Sequence, residues 1–274
     1  YMIELPEART IAKDLRKCCI GKTIQSISGN FTDHKFTFYY GDPDTYHELL
    51  KGRSITAIID RNFYVELEIE DFVLVFRDGA NIRWYAQPRA FKKSKLLLTF
   101  TDGSCLNITT SMYAVISVFS KAVGWQDTYY TKELHSLSPL DPSFTLETFL
   151  NEINEEAEKL SIKAFLTTKQ RFSGIGNGVC QDILFHAGLH PKRKVHTLTD
   201  DERSSLFLSI KHTLQRMVDD GGRDTEKTIF NEKGGYHTIM SSRHFLEGCP
   251  KCGGTIQKEQ YMGGSIYYCP SCQK

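Results

Sequence analysis

Several features are missing from this 274-residue sequence, and each absence narrows what it can be. No apolar run approaches the ~20 residues that cross a bilayer, so no membrane span is expected. No charged-then-apolar leader opens it, so it does not read as a secreted precursor. There is no internal repeat and no low-complexity segment, which sets aside repeat architectures and disordered tails. There is no strong net charge either: 34 Lys+Arg against 33 Asp+Glu leave +1. What remains is ordinary globular composition, 40% hydrophobic and 24% charged, in a chain long enough for two domains and a sizeable core. Cys18, Cys19, Cys105 and Cys180 follow no spacing pattern. They read as reduced core thiols, which points to the cytoplasm.

The near-neutral total hides an asymmetry. Residues 1–160 carry 18 Lys+Arg and 22 Asp+Glu, a balance of −4, so residues 161–274 carry 16 and 11, a balance of +5. A basic C-terminal part suits a nucleic-acid partner better than a membrane surface or an acidic metabolite.

The other four cysteines are ordered. Cys249-Pro-Lys-Cys252 and Cys269-Pro-Ser-Cys272 form two CxxC knuckles sixteen residues apart. Each knuckle turns two thiolates toward one point, and two knuckles make the tetrahedral S4 set of one structural Zn2+ ion. The alternative, two disulfides in a secreted tail, leaves the spacing unexplained. Strand-like runs flank Gly263-Gly264, so the spacer is expected to be a β-hairpin turning there, and the whole a zinc ribbon.

Leu5, Ala8, Ile11, Ala12 and Leu15 recur at helical spacing up to Gly21. Short strands are then expected at 23–28, 35–40, 54–60, 63–69, 72–76, 81–85, 95–100 and 104–109. Turns at Asp78-Gly79 and Asp102-Gly103 punctuate them, the pattern of a sandwich or barrel. After the Pro-containing stretch 138–142 the period becomes helical, with helices expected at 145–158, 161–168, 178–187 and 199–219. A Gly-rich polar stretch then leads to residue 247.

Between two of those helices lies Gly174-Ile175-Gly176-Asn177-Gly178. The glycines permit a tight turn, Asn177 is suited to cap the next helix, and free N–H groups at a helix start attract anions. Lys163, Lys169 and Arg171 upstream and residues 192–194 downstream add positive charge. The pattern reads equally as an ordinary capped helix–helix turn or as a grip on a phosphate backbone.

Three elements now stand in one order. Glu-Leu-Pro-Glu (4–7) opens a helix, Ile162-Lys163-Ala164-Phe165-Leu166 precedes the Gly174–Asn177 turn, and CxxC-x16-CxxC closes the chain. This combination resembles the formamidopyrimidine-DNA glycosylase/endonuclease VIII family, in a divergent form and over essentially the whole length. The resemblance implies an α+β fold: an N-terminal two-sheet β-sandwich with flanking helices (1–137), a helix–two-turn–helix domain (138–245) and a zinc finger (246–274). It implies a monomeric partner of double-stranded DNA, damaged by base oxidation or abasic, with the target nucleotide flipped from the stack. The implied reaction is base excision and AP lyase cleavage. An N-terminal amine attacks the sugar C1′ and forms a Schiff base. An α-amine suits this, because an ordinary pKa of about 7.7–8.0 leaves a neutral fraction near pH 7.

On this resemblance Glu4 is the general acid/base and Glu7 the second carboxylate of the motif. The nucleophile position falls on Ile3, where the family has proline. With Met2 as the natural start, the native α-amine sits on Met2, one residue early. The lysine of the strand hairpin falls on Asn62, and the arginine of the zinc hairpin on Gly264. Arg77 stands near the position of a phosphate-contacting histidine. Asn177 matches the family's DNA contact, and Lys163 and the loop 221–235 are placed toward the pocket. Asn81, Ile82, Met112 and Tyr113 are candidates for the wedge that fills the vacated stack. Lys92, Lys93 and Lys95 are candidates for a substitute amine. Two functions follow: an active glycosylase/AP lyase, or a DNA-binding lesion or abasic-site sensor of the same fold.

Overall fold

The computed structural model describes residues 2–29, 37–125 and 136–274, and of Met112 the backbone alone. The first part of the strand expected at 35–40 therefore lies outside the described residues. The chain divides into two compact units. Unit 1 holds residues 1–131 together with 226–233, and unit 2 holds 132–225 and 234–274. The architecture is α+β, as expected.

Unit 1 opens with helix α1 (Leu5–Cys19), with a proline in its first turn and Glu7 beside it. Its face of Leu5, Ala8, Ile11, Ala12, Leu15 and Cys19 is buried. The helix is tied to strand β3 (Ile55–Asp60) by Arg16, whose Nε donates to the Ile58 carbonyl at 2.8 Å. Asp60 receives both Arg9 (3.6 Å) and Arg16 (3.3 Å). The other strands are β1 (Ile24–Ser28), β2 (Thr37–Tyr40), β4 (Tyr64–Ile69), β5 (Phe72–Tyr85), β6 (Leu96–Phe100) and β7 (Cys105–Ser120). A short helix α2 (Tyr46–Leu50), which no sequence signal indicated, lies between β2 and β3.

The two expected sheets are halves of one hydrogen-bonded network in the order β1-β6-β7-β5-β4-β3, with β2 parallel to β7. Asp78-Gly79 is not a turn between two strands. It is a bulge within the single 14-residue strand β5. Asp78 pairs with Ala114 and Ala80 with Thr110, so Gly79 faces three residues of β7, 111–113. A bulge of this kind bends the strand and sharpens its twist. β5 and β7 thereby run through both halves, and their inward residues Leu74, Phe76, Ile82, Leu106, Ile108, Ile116 and Val118 share one core with α1.

That core contains a contribution from the far half of the sequence. Ile229 is fully buried in it, and the Ile229 carbonyl accepts from the Trp84 amide at 2.9 Å. Phe230 stands edge-on to the Trp84 ring, 5.9 Å between centroids.

Unit 2 contains α3 (Leu146–Asn151), α4 (Glu155–Glu158), α5 (Ile162–Thr167), α6 (Asn177–Ala187), α7 (Asp200–Asp219) and the hairpin β8 (Gln257–Tyr261) and β9 (Gly264–Tyr268). The single helix expected at 145–158 is two, because the Asn154 side chain accepts from the Ala157 amide at 2.9 Å and starts a new helix. Ser161 caps α5 in the same way, and Thr199 with Glu202 forms a capping box on α7. Five phenylalanines, 144, 149, 165, 172 and 207, pack with ring centroids 5.2–6.2 Å apart and hold these helices together. Among the described residues no helix is long and apolar enough to cross a membrane.

Candidate functional site

In unit 1 the motif residues gather where α1 begins. Glu4 occupies the N-cap position in extended conformation, and its carbonyl accepts from the Ala8 amide at 2.9 Å. The carboxylates of Glu4 and Glu7 are both buried. Ile3 is 1% exposed and belongs to the core. Its amide N–H donates to the Asp78 carbonyl at 2.9 Å. That one bond fastens the N-terminal segment to the β5 bulge, where Asp78 has φ 56°. Met2, by contrast, is 41% exposed.

The bulge carries charge as well. Arg77 is buried and its Nε donates to Asp78 Oδ2 at 3.2 Å. Burial pushes the Asp78 carboxyl up from its ordinary pKa, and Arg77 opposes that shift. Tyr113, on the three-residue side of the bulge, feels both charges. Its hydroxyl is also raised, by burial first and then by Asp78. Asn62 sits in the β3–β4 turn with φ 65°, a left-handed conformation that asparagine tolerates. It lies two residues before Tyr64, which pairs with Arg77 across β4 and β5. The Asn62 turn and the Arg77 bulge therefore occupy the same end of these strands.

The wedge candidates fall in different surroundings, one of them beside the candidate lysines. Ile82 is fully buried in the core. Asn81 is hydrogen-bonded to Ser111 and lines a cavity of about 490 Å3 with Lys92, Lys93 and Lys95. Tyr113 is exposed and its ring lies tilted against Phe38, 5.3 Å between centroids. The side chain of Met112 lies outside the described residues.

In unit 2 the Gly174–Asn177 turn leads into α6. Asn177 is not the cap: Gly176 holds that position, and Asn177 is the first helical residue, exposed to solvent. Its side chain is held from two sides. Gln181 Nε2 donates to Asn177 Oδ1 at 3.4 Å, and Asn177 Nδ2 donates to the Ser265 carbonyl at 3.5 Å. Gln181 continues the link, donating to Ser265 O at 2.9 Å and accepting from Tyr267 N at 3.2 Å. One face of α6 is thus sutured to β9.

The hairpin turn falls one residue earlier than expected. Met262 (φ 54°) and Gly263 (φ 74°) are both left-handed, the requirement of a two-residue type I′ turn. Gly264 is consequently the first residue of β9, paired with Tyr261. A Cβ at Gly264 would stand 3.6 Å from the Asn177 side chain, an ordinary contact distance. Lys163 is buried behind the hairpin. Its ammonium donates to the Tyr261 carbonyl at 2.9 Å and lies 5.7 Å from that ring. Burial holds its pKa below the usual lysine range.

The four knuckle cysteines converge. Their sulfurs all lie within 4.8 Å of one another, with Cys249–Cys272 at 3.7 Å and Cys252–Cys269 at 3.5 Å. Tetrahedral thiolates 2.3 Å from a zinc ion would stand about 3.8 Å apart. The donor set fits a metal ion of that kind. Phe185, Met240, Ile256 and Tyr267 close around it.

Comparison with known proteins agrees along the whole chain. Residues 2–111 match the formamidopyrimidine-DNA glycosylase N-terminal domain, and residues 136–228 match the formamidopyrimidine-DNA glycosylase H2TH domain. The chain is similar to the formamidopyrimidine-DNA glycosylase of Brevibacillus brevis, 30% identical over 100% of this chain and 99% of that one. The Bacillus subtilis enzyme is 27% identical over 99% of both. Among solved structures, the Thermus thermophilus MutM (Fpg) protein shares the fold with a TM-score of 0.82 at 21% identity, covering 98% of each chain. Lactococcus lactis Fpg, in complex with DNA containing an abasic site, superposes with a TM-score of 0.82 at 24% identity over 99% of each. Sequence motifs, fold and relatives converge, and the chain belongs to the formamidopyrimidine-DNA glycosylase family.

Proposed function

We propose that this protein is a DNA-repair factor that binds duplex DNA at an oxidised base or an abasic site, with the nitrogen of Ile3 closed to the family's nucleophilic attack. The observation that carries the reading is the contrast between two positions. Asn177 is exposed and held in place by Gln181 and Ser265. The Ile3 amide donates to Asp78 and its side chain is buried. An amide nitrogen has no available lone pair, so no Schiff base forms there.

In this reading Asn177 contacts the phosphate backbone, and Asn62, Arg77 and Gly264 stand at positions where the family contacts DNA. Lys163 braces the hairpin from behind. One Zn2+ ion on Cys249, Cys252, Cys269 and Cys272 supplies the rigidity of the ribbon and takes no part in chemistry. Domain limits at 1–137, 138–245 and 246–274 and an intracellular, monomeric protein complete the proposal.

A second reading has its own support. Glu4 and Glu7 are both retained and both buried at the start of α1. A buried acid/base pair beside an exposed Met2 suits excision by the α-amine of a chain that begins at Met2.

Binding to intact and abasic duplexes tests the shared part. Abasic duplex is expected to bind more tightly, with affinity falling steeply as salt rises. Equal affinity for the two duplexes would remove lesion recognition.

A further inference from the structure

A group of side chains in unit 2 is separate from the four cysteine ligands, although His244 and Glu247 border the same cavity as Cys249 and Asp224 lies on the loop 221–235. Asp224 follows α7, and His237, His244 and Glu247 lie on the segment that leads to the ribbon. Asp224 Oδ2 is 2.7 Å from His244 Nε2 and 3.3 Å from His237 Nδ1. The two imidazole centroids are 4.0 Å apart. One nitrogen of each ring and one oxygen of Asp224 lie within 4.8 Å of one another.

The remaining atoms of these groups are already engaged. Asp224 Oδ1 accepts from the Thr238 hydroxyl at 2.8 Å and the Thr238 amide at 3.3 Å, leaving Oδ2 turned to the imidazoles. Glu247 takes the outer nitrogen of each ring, His244 Nδ1 at 2.6 Å and His237 Nε2 at 3.5 Å. A carboxylate behind a histidine fixes its tautomer and aims the other nitrogen inward, as around protein-bound metals. His244 and Asp224 are 13% and 14% exposed, and His237 is 62% exposed. A cavity of about 440 Å3 reaches His237, His244 and Glu247, leaving room for a further ligand.

We propose that Asp224 Oδ2, His237 Nδ1 and His244 Nε2 form a second metal site, distinct from the four-cysteine site, for a divalent transition ion such as zinc. Two imidazoles and a carboxylate are a borderline N/O donor set, matched to zinc, cobalt and nickel rather than to magnesium or calcium. Three protein ligands leave a fourth position open. The site closes a loop: Asp224 precedes and His237 follows residues 226–233, the segment that belongs to unit 1. The bridge between Arg223 and Tyr236 already draws the two ends of that loop together. The ion clamps them.

The test takes protein carrying a single equivalent of Zn2+, which the four thiolates claim first, titrates it with Co2+ and reads the visible d–d bands. The wild type is expected to take up one further equivalent with N/O-type bands and no thiolate charge transfer. His237→Ala, which removes a side chain that is 62% exposed, is expected to lose that equivalent. Glu247→Gln should retain it with ~10-fold weaker affinity. His212→Ala, outside the cluster, should bind as the wild type does. No further uptake by the wild type, or equal uptake by His237→Ala, would reduce the cluster to ion-paired side chains and overturn the site. Neither result depends on DNA binding or on catalysis.

Discussion

The starts of α1 and α6 are the two helix ends that the family resemblance singles out, and they are built oppositely. At α1 the critical position is closed. Ile3 is packed in the core, and its N–H is committed to Asp78. At α6 the critical position is open. Asn177 is exposed, but Gln181 and the β9 carbonyl of Ser265 fix its orientation. One end presents a packed side chain and a committed N–H, while the other presents a polar group on a rigid frame. On the proposed function, a scaffold for holding a ligand and the chemistry performed on it diverge separately within one fold.

The largest expected effect concerns the frame of unit 1. Ile229→Ala empties a fully buried place between the sheet and the distant loop. It should cost about 2–5 kcal/mol of stability, read from denaturant unfolding. A change below about 0.5 kcal/mol would show that the loop is not part of the core. Asn177→Ala comes next. It should weaken binding to every duplex on the order of tenfold without changing preference among them, because a phosphate contact carries no sequence information. Unchanged affinity would break the comparison at its open end.

Much of this arrangement can be read in the sequence, for identifiable reasons. The knuckles are legible because metal ligation requires fixed spacing, and the starts of α5 and α7 because Ser161 and Thr199 are strong caps. β5 and β7 are less so. A bulge leaves the same Asp-Gly signal as a turn, and only the pairing of 111–113 against Gly79 distinguishes them. The hairpin turn is displaced because two adjacent glycines make either register plausible, and Met262 adopts the left-handed conformation. The burial of Ile229 leaves almost no local trace, since it and Phe230 make only a two-residue apolar step in a polar stretch and its partners lie more than a hundred residues earlier. The closure of Ile3 is half legible. The residue type rules out a secondary amine, but the bond to Asp78 is a tertiary fact. The Asp224–His237–His244 group gives no spacing motif at all, because its members meet across a loop.

A smaller effect sharpens the comparison from the other side. Gly264→Arg restores the arginine that the family resemblance places at this position, where a Cβ would stand at an ordinary 3.6 Å from the Asn177 side chain. Affinity for abasic duplex should rise several-fold, and the slope of log K against log salt should steepen by about 0.9, one phosphate contact. A loss of affinity would mean that the hairpin does not face the backbone.

The most direct measurement is borohydride trapping on abasic duplex, using protein whose N-terminal residue has been confirmed by intact mass. A retarded, salt-sensitive complex with no covalent adduct is expected. An adduct that forms with the unmodified chain and maps to its N-terminal residue would contradict it, and would establish the reading in which Glu4 and Glu7 still serve a working amine.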